Sequence, residues 1–553
     1  MAEQQTCNIL FIVPPHIPYN VYSSPKNNIR HIPKKDGRMF AHLISDMPLG
    51  ILSLSAYIKK YSVNHINSRL IDYNVELNEL ETFDYCDFND FYIQEIKKNL
   101  NGFSPDIIGI SSLFTSSYQN LLDLIAISRK LCPDALIIAG GSVPSILQKE
   151  IFDNSPGIDA LCYGEGEKPL LGLVDAIDRK AFLEEHPSWI TATKNQNGFS
   201  PANDFILDLD EIPFSDYDLC DSEKYAKYPA VTAYAGIKER QTNYYVMSSR
   251  GCPFKCIFCA AHKVHGRDVR FHSLQRVKED LTRLRDKHGA TIIVFQDDHI
   301  MADKKRALEI IKFVDREKIN AFFQNLAVYA LNREMLEALA SAGTTHLNLS
   351  IESGSERVLK KIMLKPLKLS IVKQVTSDCR DLGIYTAGSI LIGLPGETKE
   401  DIMEARQVLK TLGVNWYVIF CASPLIGSDM HNICTEKNYL KDSGMSGDYS
   451  NAVVETEEFT AEYIQEMAYI MNLELNFVEN SDCRLGDYQL ALKGFESAIR
   501  AKSDHAFGYH FAAICYKNLG QIEKANSYQK KAQDIYSTSE YWRNYFKMFN
   551  IEP

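Results

Sequence analysis

The chain has 553 residues, a net charge of −11, and 45% hydrophobic and 24% charged residues. These values are ordinary for a globular protein and allow roughly three or four domains. No signal peptide, no apolar run long enough to cross a membrane and no basic stretch interleaved with aromatic residues is visible. We therefore expect a cytoplasmic protein without a membrane span or a nucleic-acid partner.

Residues 1–180 predict a doubly wound, Rossmann-like α/β domain. Apolar, β-favouring runs at 8–13, 107–110, 135–139 and 160–163 alternate with helical segments such as 49–58. This spacing indicates a sheet of about five strands. The loops after the strands are rich in glycine and small polar residues, so a large flat ligand could lie across them. No G-x-G-x-x-G opens the first helix, which gives little support for a nicotinamide or flavin.

Residues 181–240 are interpreted as a linker and residues 241–450 as a partial (β/α)6 barrel. Apolar runs alternate there with helix-period segments such as 273–285 and 304–315. This alternation is typical of a parallel, partly closed barrel. The six runs are residues 244–248, 291–295, 321–326, 346–351, 387–391 and 416–420.

The most specific feature is a C-x3-C-x2-C loop formed by Cys252, Cys256 and Cys259, directly after the first barrel strand. Three thiolates at this spacing hold a four-iron cluster and leave one iron open to a substrate. Zinc on the same cysteines and His262 is the alternative. The flanking Arg-Gly-Cys-Pro-Phe and Phe-Cys favour the cluster. The loop lies at the carboxyl end of a strand, where barrel enzymes keep their active sites.

Three later strands end in polar or glycine-rich sequences: Q-D-D at 296–298, E-S-G-S at 352–355 and G-L-P-G-E-T at 393–398. Alone, the acidic pair could cap a helix and the glycines could form a turn. In this order after the cysteines, however, they resemble the radical S-adenosylmethionine (SAM) superfamily.

That resemblance implies that the open iron binds SAM and that an electron from the cluster cleaves it to a 5′-deoxyadenosyl radical. It also implies an external electron donor of the flavodoxin or ferredoxin type. Residues 325–327 are neutral where related enzymes often carry a charge, so we assign no anchor for the SAM carboxylate. The implied SAM-binding residues are Phe258, Gln296, Asp297, Asp298, Glu352, Ser353, Ser389 and Gly393.

The first domain resembles the cobalamin-binding domain that precedes many radical SAM enzymes, and the combined resemblance covers roughly residues 6–430. The D-x-H-x-x-G motif, which supplies a histidine below cobalt in other cobalamin proteins, is absent. We therefore expect cobalamin without a protein histidine ligand. The alternative is a Rossmann-like domain that has lost its cofactor. The implied cobalamin-binding residues are Pro14, Ser111, Ser112, Leu113, Phe114, Thr115, Gly140, Gly141, Ser142, Gly164, Glu165 and Gly166.

Residues 451–553 predict a helical, tetratricopeptide-like domain. Gly486, Ala491 and Ala498 recur as Gly520, Ala525 and Ala532, a period of about 34 residues. Two such units are fewer than an independent solenoid needs, so we expect them to pack on residues 459–475 or on the barrel. They could dock a protein or carrier partner, or simply cap the barrel.

Together these resemblances imply a cobalamin-dependent radical SAM enzyme, similar to class B methyltransferases, that methylates an unactivated carbon or phosphorus centre. In that scheme cobalamin takes a methyl group from one SAM, and a second SAM yields the radical that abstracts hydrogen from a small-molecule or peptide substrate. Cyclisation, oxidation or carbon–carbon bond formation with the same cofactors stays open.

Two further hypotheses are weaker. A methylthiotransferase would need a second cluster from three N-terminal cysteines, whereas Cys7, Cys86, Cys132 and Cys162 are dispersed. A non-catalytic scaffold built on the helical repeat would not need the intact cysteine triad.

Overall fold

The structure is a computed structural model that describes residues 5–25, 31–229, 242–441 and 451–553. The end of the predicted linker, residues 230–240, and the last residues of the predicted barrel region, 442–450, lie outside the described residues. Within the described ranges no helix is both long enough and apolar enough to span a bilayer.

The N-terminal domain is a six-stranded sheet with the order β4-β1-β5-β6-β7-β8. The first five strands of that order run parallel, and β8 pairs antiparallel with β7. Two short strands, β2 and β3, form a separate ribbon. The strands are β1 Thr6–Val13, β2 His31–Pro33, β3 Met39–Ala41, β4 His65–Asp72, β5 Ile107–Ser111, β6 Leu136–Gly140, β7 Ala160–Cys162 and β8 Trp189–Ile190.

Helices cover both faces of this sheet, which is why its central strands are continuous apolar runs. Alternate residues of β1 enter different cores: Leu10 and Ile12 lie in one, and Ile9 and Phe11 in the other. The helices of this region are Tyr19–Ser23, Leu49–Tyr61, Tyr73–Glu79, Phe88–Leu100, Tyr118–Leu131, Ser142–Ile146, Gln148–Asn154, Glu167–Asp175, Arg179–Glu185, Ala192–Gln196 and Ser222–Tyr225, with short 3-10 turns at Thr115–Ser117, Leu209–Glu211 and Tyr217–Leu219.

Two strands of the sheet were not among the runs identified from sequence. β4 is an edge strand whose exposed positions carry polar residues, so it lacks a continuous apolar run. β8 is two residues long and lies at 189–190, inside the segment predicted as a linker. The sheet therefore continues past residue 180. Because β4 lies on one side of β1 and β5 on the other, the carboxyl ends of β1 and β5 flank a topological switch point.

The barrel consists of two parallel three-stranded sheets, β9-β12-β13 and β14-β15-β16. All six strands predicted from sequence are present. A short antiparallel ribbon, β10 with β11, brackets the cysteine loop. The strands are β9 Asn243–Val246, β10 Ser249–Arg250, β11 Arg270–Phe271, β12 Ile292–Phe295, β13 Ala321–Phe323, β14 His346–Glu352, β15 Tyr385–Ile392 and β16 Trp416–Cys421.

The barrel helices begin and end at clear local signals. Leu274–His288 starts where the Ser273 side chain accepts a hydrogen bond from Arg276 N–H, and it ends at Gly289, whose φ of 64° is left-handed. The helices are His262–His265, Leu274–His288, Lys304–Arg316, Arg333–Ser341, Leu369–Asp381, Lys399–Leu409 and Asp429–Glu436, with 3-10 turns at Ile300–Ala302 and Val328–Ala330 and a π-helical turn at Val358–Ile362.

The C-terminal region is helical and contains two helix pairs at the predicted period. The first pair packs on the barrel through Trp416 of β16 and on the preceding helices through Leu473 and Phe477. The label tetratricopeptide-like stays a prediction. The helices are Ala461–Leu473, Ser481–Arg484, Tyr488–Ala501, Ala506–Asn518, Ile522–Thr538 and Glu540–Met548, with a π-helical turn at Glu474–Val478.

Gly494 lies in close contact with the barrel, because a Cβ there would lie 2.4 Å from the Trp416 ring. We expect Gly494→Ala to lower the free energy of unfolding of this region by about 1–3 kcal/mol through overpacking. Urea unfolding followed by tryptophan fluorescence checks this. Gly50→Ala is the matched control, since its Cβ would meet nothing within 4 Å. Equal unfolding midpoints for the two variants would contradict the contact.

Candidate active site

The cysteine loop is held by elements far away in sequence. Ile257 N–H donates to the carbonyl oxygen of Met363 at 3.2 Å, and Met430 N–H donates to the carbonyl oxygen of Ile257 at 2.8 Å. Cys252 N–H donates more weakly to Gly266 O at 3.4 Å. The middle of the loop is therefore fixed between the π-helical turn after β14 and the helix after β16.

The glycine before the first cysteine is required by the geometry of the loop. Gly251 has a φ of +96°, and a Cβ there would lie 2.4 Å from the carbonyl oxygen of Asp268. Its N–H donates to Asp298 Oδ2 at 2.8 Å, and His265 Nδ1 lies 2.8 Å from the same oxygen. Asp298 thus joins the two ends of the cysteine loop.

The three loop cysteines are partly exposed and unbonded to one another. Burial raises the pKa of all three thiols, to about 11 for Cys256, while Lys365 acts in the opposite direction on Cys256 and Cys259. Metal binding must therefore release protons from these thiols.

The donor set fits an iron–sulfur cluster. In a cluster each thiolate binds a different iron, so the three sulfurs need not converge on one point. A tetrahedral zinc site needs such convergence. Zinc would need a fourth ligand such as His262 at the same point, whereas the cluster needs only the three thiolates of the loop.

The two residues of the predicted acidic pair, Asp297 and Asp298, have different environments in the structure. Asp298 and Gln296 line a cavity between the domains. Asp297 turns away and accepts hydrogen bonds from Ser248 N–H at 3.1 Å, Ser248 Oγ at 2.7 Å and Ser249 Oγ at 2.5 Å. It fixes the end of β9, and its contact with SAM stays a prediction.

Glu352 and Phe258 meet at Lys365, a residue that the sequence did not single out. The Lys365 ammonium lies 3.3 Å from Glu352 Oε1 and 5.8 Å from the centroid of the Phe258 ring. Glu352 has a φ of +70°, a left-handed conformation that is unusual for glutamate and found at functional sites. Ser353 is buried, and its Oγ accepts the N–H of Ser355 at 3.1 Å.

Ser389 lies within β15 and Gly393 directly follows the strand, next to a buried carboxyl group. Gly393 N–H and Leu394 N–H donate to Glu397 Oε2 at 2.7 and 3.1 Å. Glu397 Oε1 has no hydrogen-bond partner among the described residues. Burial raises the pKa of this carboxyl to about 8.

A cavity of about 680 Å³ lies between the sheet domain and the barrel, within the range of small-molecule sites. Barrel residues Arg250, Gln296 and Asp298 line it together with the strand ends of the sheet domain. Ten of the residues predicted to bind cobalamin face this space: Pro14, Ser111, Leu113, Phe114, Gly140, Gly141, Ser142, Gly164, Glu165 and Gly166.

Two predicted cobalamin contacts do not line the cavity. Ser112 is buried with its Oγ 2.7 Å from Ser117 Oγ, and Thr115 begins a 3-10 turn. Ser112 nevertheless shapes the loop after β6, since a Cβ on Gly141, at φ +101°, would lie 2.6 Å from the Ser112 carbonyl oxygen. Only a glycine allows the two loops to come this close.

The G-E-G-E loop has a second role that sequence reasoning missed. Glu165 pairs with both arms of Arg270 at 2.5 and 2.9 Å, and Glu167 pairs with Arg250 at 2.7 Å. Burial opposes ionisation, yet Arg250 holds the pKa of Glu167 at about 2. The glutamates belong to the sheet domain and the arginines to the ribbon around the cysteine loop, so these pairs join the two domains.

His16 and Asn74 also line the cavity, and neither was identified from sequence. His16 follows β1, and its Nδ1 lies 2.7 Å from Asn74 Oδ1. Burial lowers the pKa of His16 to about 4. The imidazole is therefore neutral at physiological pH.

Comparison with known proteins identifies both domains. Residues 246–409 match the radical SAM superfamily, and residues 47–174 match the B12 binding domain. The chain is 26% identical over 471 residues to cytidylyl-2-hydroxyethylphosphonate methyltransferase of Streptomyces wedmorensis, which covers 78% of this chain and 86% of that relative.

A second relative has a different activity. The anaerobic magnesium-protoporphyrin IX monomethyl ester cyclase of Rubrivivax gelatinosus is 25% identical over 329 residues, covering 58% of this chain and 57% of the cyclase. Among solved structures, the cobalamin-dependent S-adenosylmethionine radical enzyme OxsB, with aqua-cobalamin and S-adenosylmethionine bound, has a TM-score of 0.61 at 16% identity. That match covers 99% of this chain and 76% of OxsB, and it shows a shared fold.

The chain therefore contains a radical SAM domain with a B12-binding domain ahead of it, and it is an enzyme. The predicted α/β fold class is confirmed at this level.

The interdomain ion pairs generate a prediction. Glu165→Gln should lower the free energy of unfolding by about 3–5 kcal/mol, because it leaves buried Arg270 without its charged partner. Urea unfolding followed by circular dichroism measures the loss, and adding Arg270→Met should restore part of it. Glu81→Gln is the control, since it removes one half of an exposed pair with Lys35 and should cost at most about 0.5 kcal/mol. Equal losses at Glu165 and Glu81 would contradict a buried network.

A second prediction concerns the pH dependence of stability. The folded protein keeps the Glu397 proton up to about pH 8, whereas the unfolded chain loses it near the ordinary pKa of 4.5. Stability should therefore fall as pH rises between these values. Glu397→Gln should remove that slope, with its advantage over the parent growing from about pH 5 to pH 8. Urea midpoints across this range test it, with exposed Glu458→Gln as the control. A parallel pH profile for parent and Glu397→Gln would refute a protonated carboxyl at this position.

Proposed function

We propose that this chain is a cobalamin-dependent radical SAM methyltransferase that adds a methyl group to an unactivated carbon or phosphorus centre. One observation carries the proposal: the residues flanking the cysteine loop and the strand ends of the B12-binding domain line a single cavity. A methyl carrier and a radical source must both reach one substrate atom, and a shared cavity makes that possible.

Similarity supports the same function. A methyltransferase matches 78% of this chain. The strand-end loops that the resemblance assigns to cobalamin are retained, and ten of their predicted contact residues line the cavity. Leu113 and Phe114 are 55% and 60% exposed although both are large and apolar. Such side chains in a ligand cavity would be covered by the apolar face of a corrin ring.

The residues of the chain would bind and orient the cofactors and the substrate, and they would exclude side reactions. Cys252, Cys256 and Cys259 would hold the cluster, and the strand ends of the sheet domain would hold the corrinoid. When bound, the cluster would supply the electron that cleaves SAM, and the corrinoid would carry the methyl group. Asp298 accepts the N–H of Gly251 at 2.8 Å and so ties the start of the cysteine loop to the end of β12.

The proposal also covers the class of substrate and the partners of the enzyme. We propose a small-molecule or peptide substrate, an electron donor of the flavodoxin or ferredoxin type, and a docking role for the tetratricopeptide-like helices. A reducing compartment such as the cytoplasm would suit the chain, since its thirteen cysteines are all free.

Cyclisation is the second candidate, because the Rubrivivax cyclase is similar over 58% of this chain. The mass of the product separates the two: methylation adds one methyl group to the substrate, whereas cyclisation removes hydrogen.

The proposal predicts that the two cofactors can be lost independently. Protein purified without oxygen from cobalamin-supplied cells should contain near-stoichiometric corrinoid, iron and sulfide. Cys256→Ala should lose nearly all iron and sulfide and keep its corrinoid. Gly141→Val should do the reverse, because its side chain would meet the Ser112 carbonyl in a backbone conformation that valine rarely adopts.

Metal analysis, absorbance and mass spectrometry of the three proteins check this pattern. Full iron and sulfide without corrinoid in the parent protein would refute a cobalamin mechanism. Loss of both cofactors in both variants would argue that the two sites do not form separately.

A further inference from the structure

The cysteine loop forms part of the protein surface as well as part of the candidate active site. Pro253 and Lys255, which lie between the first two cysteines, are exposed, and the cysteines themselves are partly exposed. None of residues 252–259 lines the cavity between the domains. The loop therefore has a solvent-facing side that is separate from that cavity.

The segments at this surface are basic, although the chain as a whole has a net charge of −11. Residues 250–267 contain four arginine or lysine residues and no aspartate or glutamate, and residues 360–368 contain four lysines and again no acid. The two segments are in contact, because Ile257 N–H donates to the carbonyl oxygen of Met363 at 3.2 Å. Positive charge is therefore concentrated at the cysteine loop of an acidic protein.

Two cations contact the loop through Phe254, the residue next to Lys255. The Arg267 guanidinium donates to the carbonyl oxygen of Phe254. The Lys304 ammonium lies 5.7 Å from the centroid of the Tyr329 ring, and that ring meets the Phe254 ring with centroids 5.5 Å apart. The positive charge around the loop therefore comes from several elements and does not depend on one stretch of sequence.

Two acids beside the loop, Glu352 and Asp298, already have partners. Glu352 pairs with Lys365 at 3.3 Å, and Asp298 accepts the N–H of Gly251 at 2.8 Å. By contrast, four exposed lysines form no ion pair with any described residue, and we call them the basic patch: Lys255, Lys304, Lys360 and Lys361.

An exposed apolar side chain adjoins the basic patch. Leu364 directly follows Met363, is 45% exposed and has a φ of +53°. A bulky residue in the left-handed region is strained, and such strain collects at functional positions. An apolar centre with a charged, solvent-accessible rim is the usual composition of a protein–protein interface.

We propose that the basic patch, together with Leu364, docks the acidic face of a small electron-carrier protein that reduces the cluster. The inference rests on the proposed function, which needs an external one-electron donor, and it gives that donor a binding surface. One electron leaves the reduced carrier and enters the oxidised cluster, and no bond forms or breaks. Complementary charge speeds such encounters and sets the orientation of the partners. Docking at this surface leaves the cavity between the domains free for the substrate.

Stopped-flow absorbance tests the proposal with the full-length protein, its cluster in place, mixed without oxygen with reduced flavodoxin, an acidic carrier. The rate constant of electron transfer should fall by about tenfold or more when salt is raised from about 0.05 M to about 0.5 M, because salt screens the attraction. Lys360→Glu combined with Lys361→Glu should lower the rate at low salt by about tenfold or more. The final extent of reduction by dithionite should stay unchanged in this variant, since dithionite needs no docking surface.

The matched control is Lys530→Glu combined with Lys531→Glu. These two lysines are also adjacent and exposed on a helix, and the double change alters the net charge by the same amount. This control should keep the parent rate. Equal losses in the two double variants would show an effect of net charge alone and would overturn the docking site. Lys304→Glu, in the first turn of its helix, is the second variant, and it should also slow reduction if the first does not fold.

The remaining outcomes separate this inference from the proposed function. A parent rate that does not depend on salt, or a patch variant that keeps the parent rate with flavodoxin and with a ferredoxin, would overturn the docking site and leave the proposed function intact. A patch-dependent rate with either carrier supports the site. Binding of flavodoxin to cluster-free protein, measured by calorimetry, should weaken in the same variants. A parent protein that cannot hold a cluster would instead overturn the proposed function.

Discussion

The buried ion pairs between the domains, formed by two glutamates and two arginines, are the constraint on which the site depends. Glu165 and Glu167 come from the sheet domain, and Arg270 and Arg250 from the ribbon that brackets the cysteine loop. Charges this deeply buried are costly unless each has its partner, so the domains are favoured in the one arrangement where all four side chains are paired. Hydrophobic contact alone would allow the domains to slide, because it is not directional.

This arrangement also explains the form of the cavity. Arg250 stands two residues before Cys252, and Glu165 lies in a loop that lines the same space. The interaction that orients one domain on the other therefore acts on the backbone at the entrance of the cysteine loop. Asp298, Met363 and Met430 hold the rest of that loop. A loop fixed from several elements can present three sulfurs in a constant geometry, which short-range turn preferences could not ensure.

Much of the fold could be predicted from the sequence, because its central strands are buried on both faces and read as apolar runs. All six barrel strands and the inner strands of the sheet were found in this way, and the spacing of Cys252, Cys256 and Cys259 was specific by itself. β4 was not found, since an edge strand exposes polar side chains. The different roles of Asp297 and Asp298 could not be predicted from the sequence either. Adjacent residues point in opposite directions at a strand end. Only the positions of Ser248 and Ser249 in the structure show that Asp297 is the one held by hydrogen bonds.

The contacts that sequence reasoning missed share one physical property: each joins residues that are distant along the chain. From the sequence Glu165 is part of a ligand-binding loop, and only the structure shows its ion pair with Arg270. Likewise, the sequence does not distinguish Lys365 from a surface lysine, whereas the structure places it beside Glu352 and Phe258. The contact between His16 and Asn74 is a further case. The two residues follow different strands, β1 and β4, and no sequence motif links them, yet His16 Nδ1 lies 2.7 Å from Asn74 Oδ1.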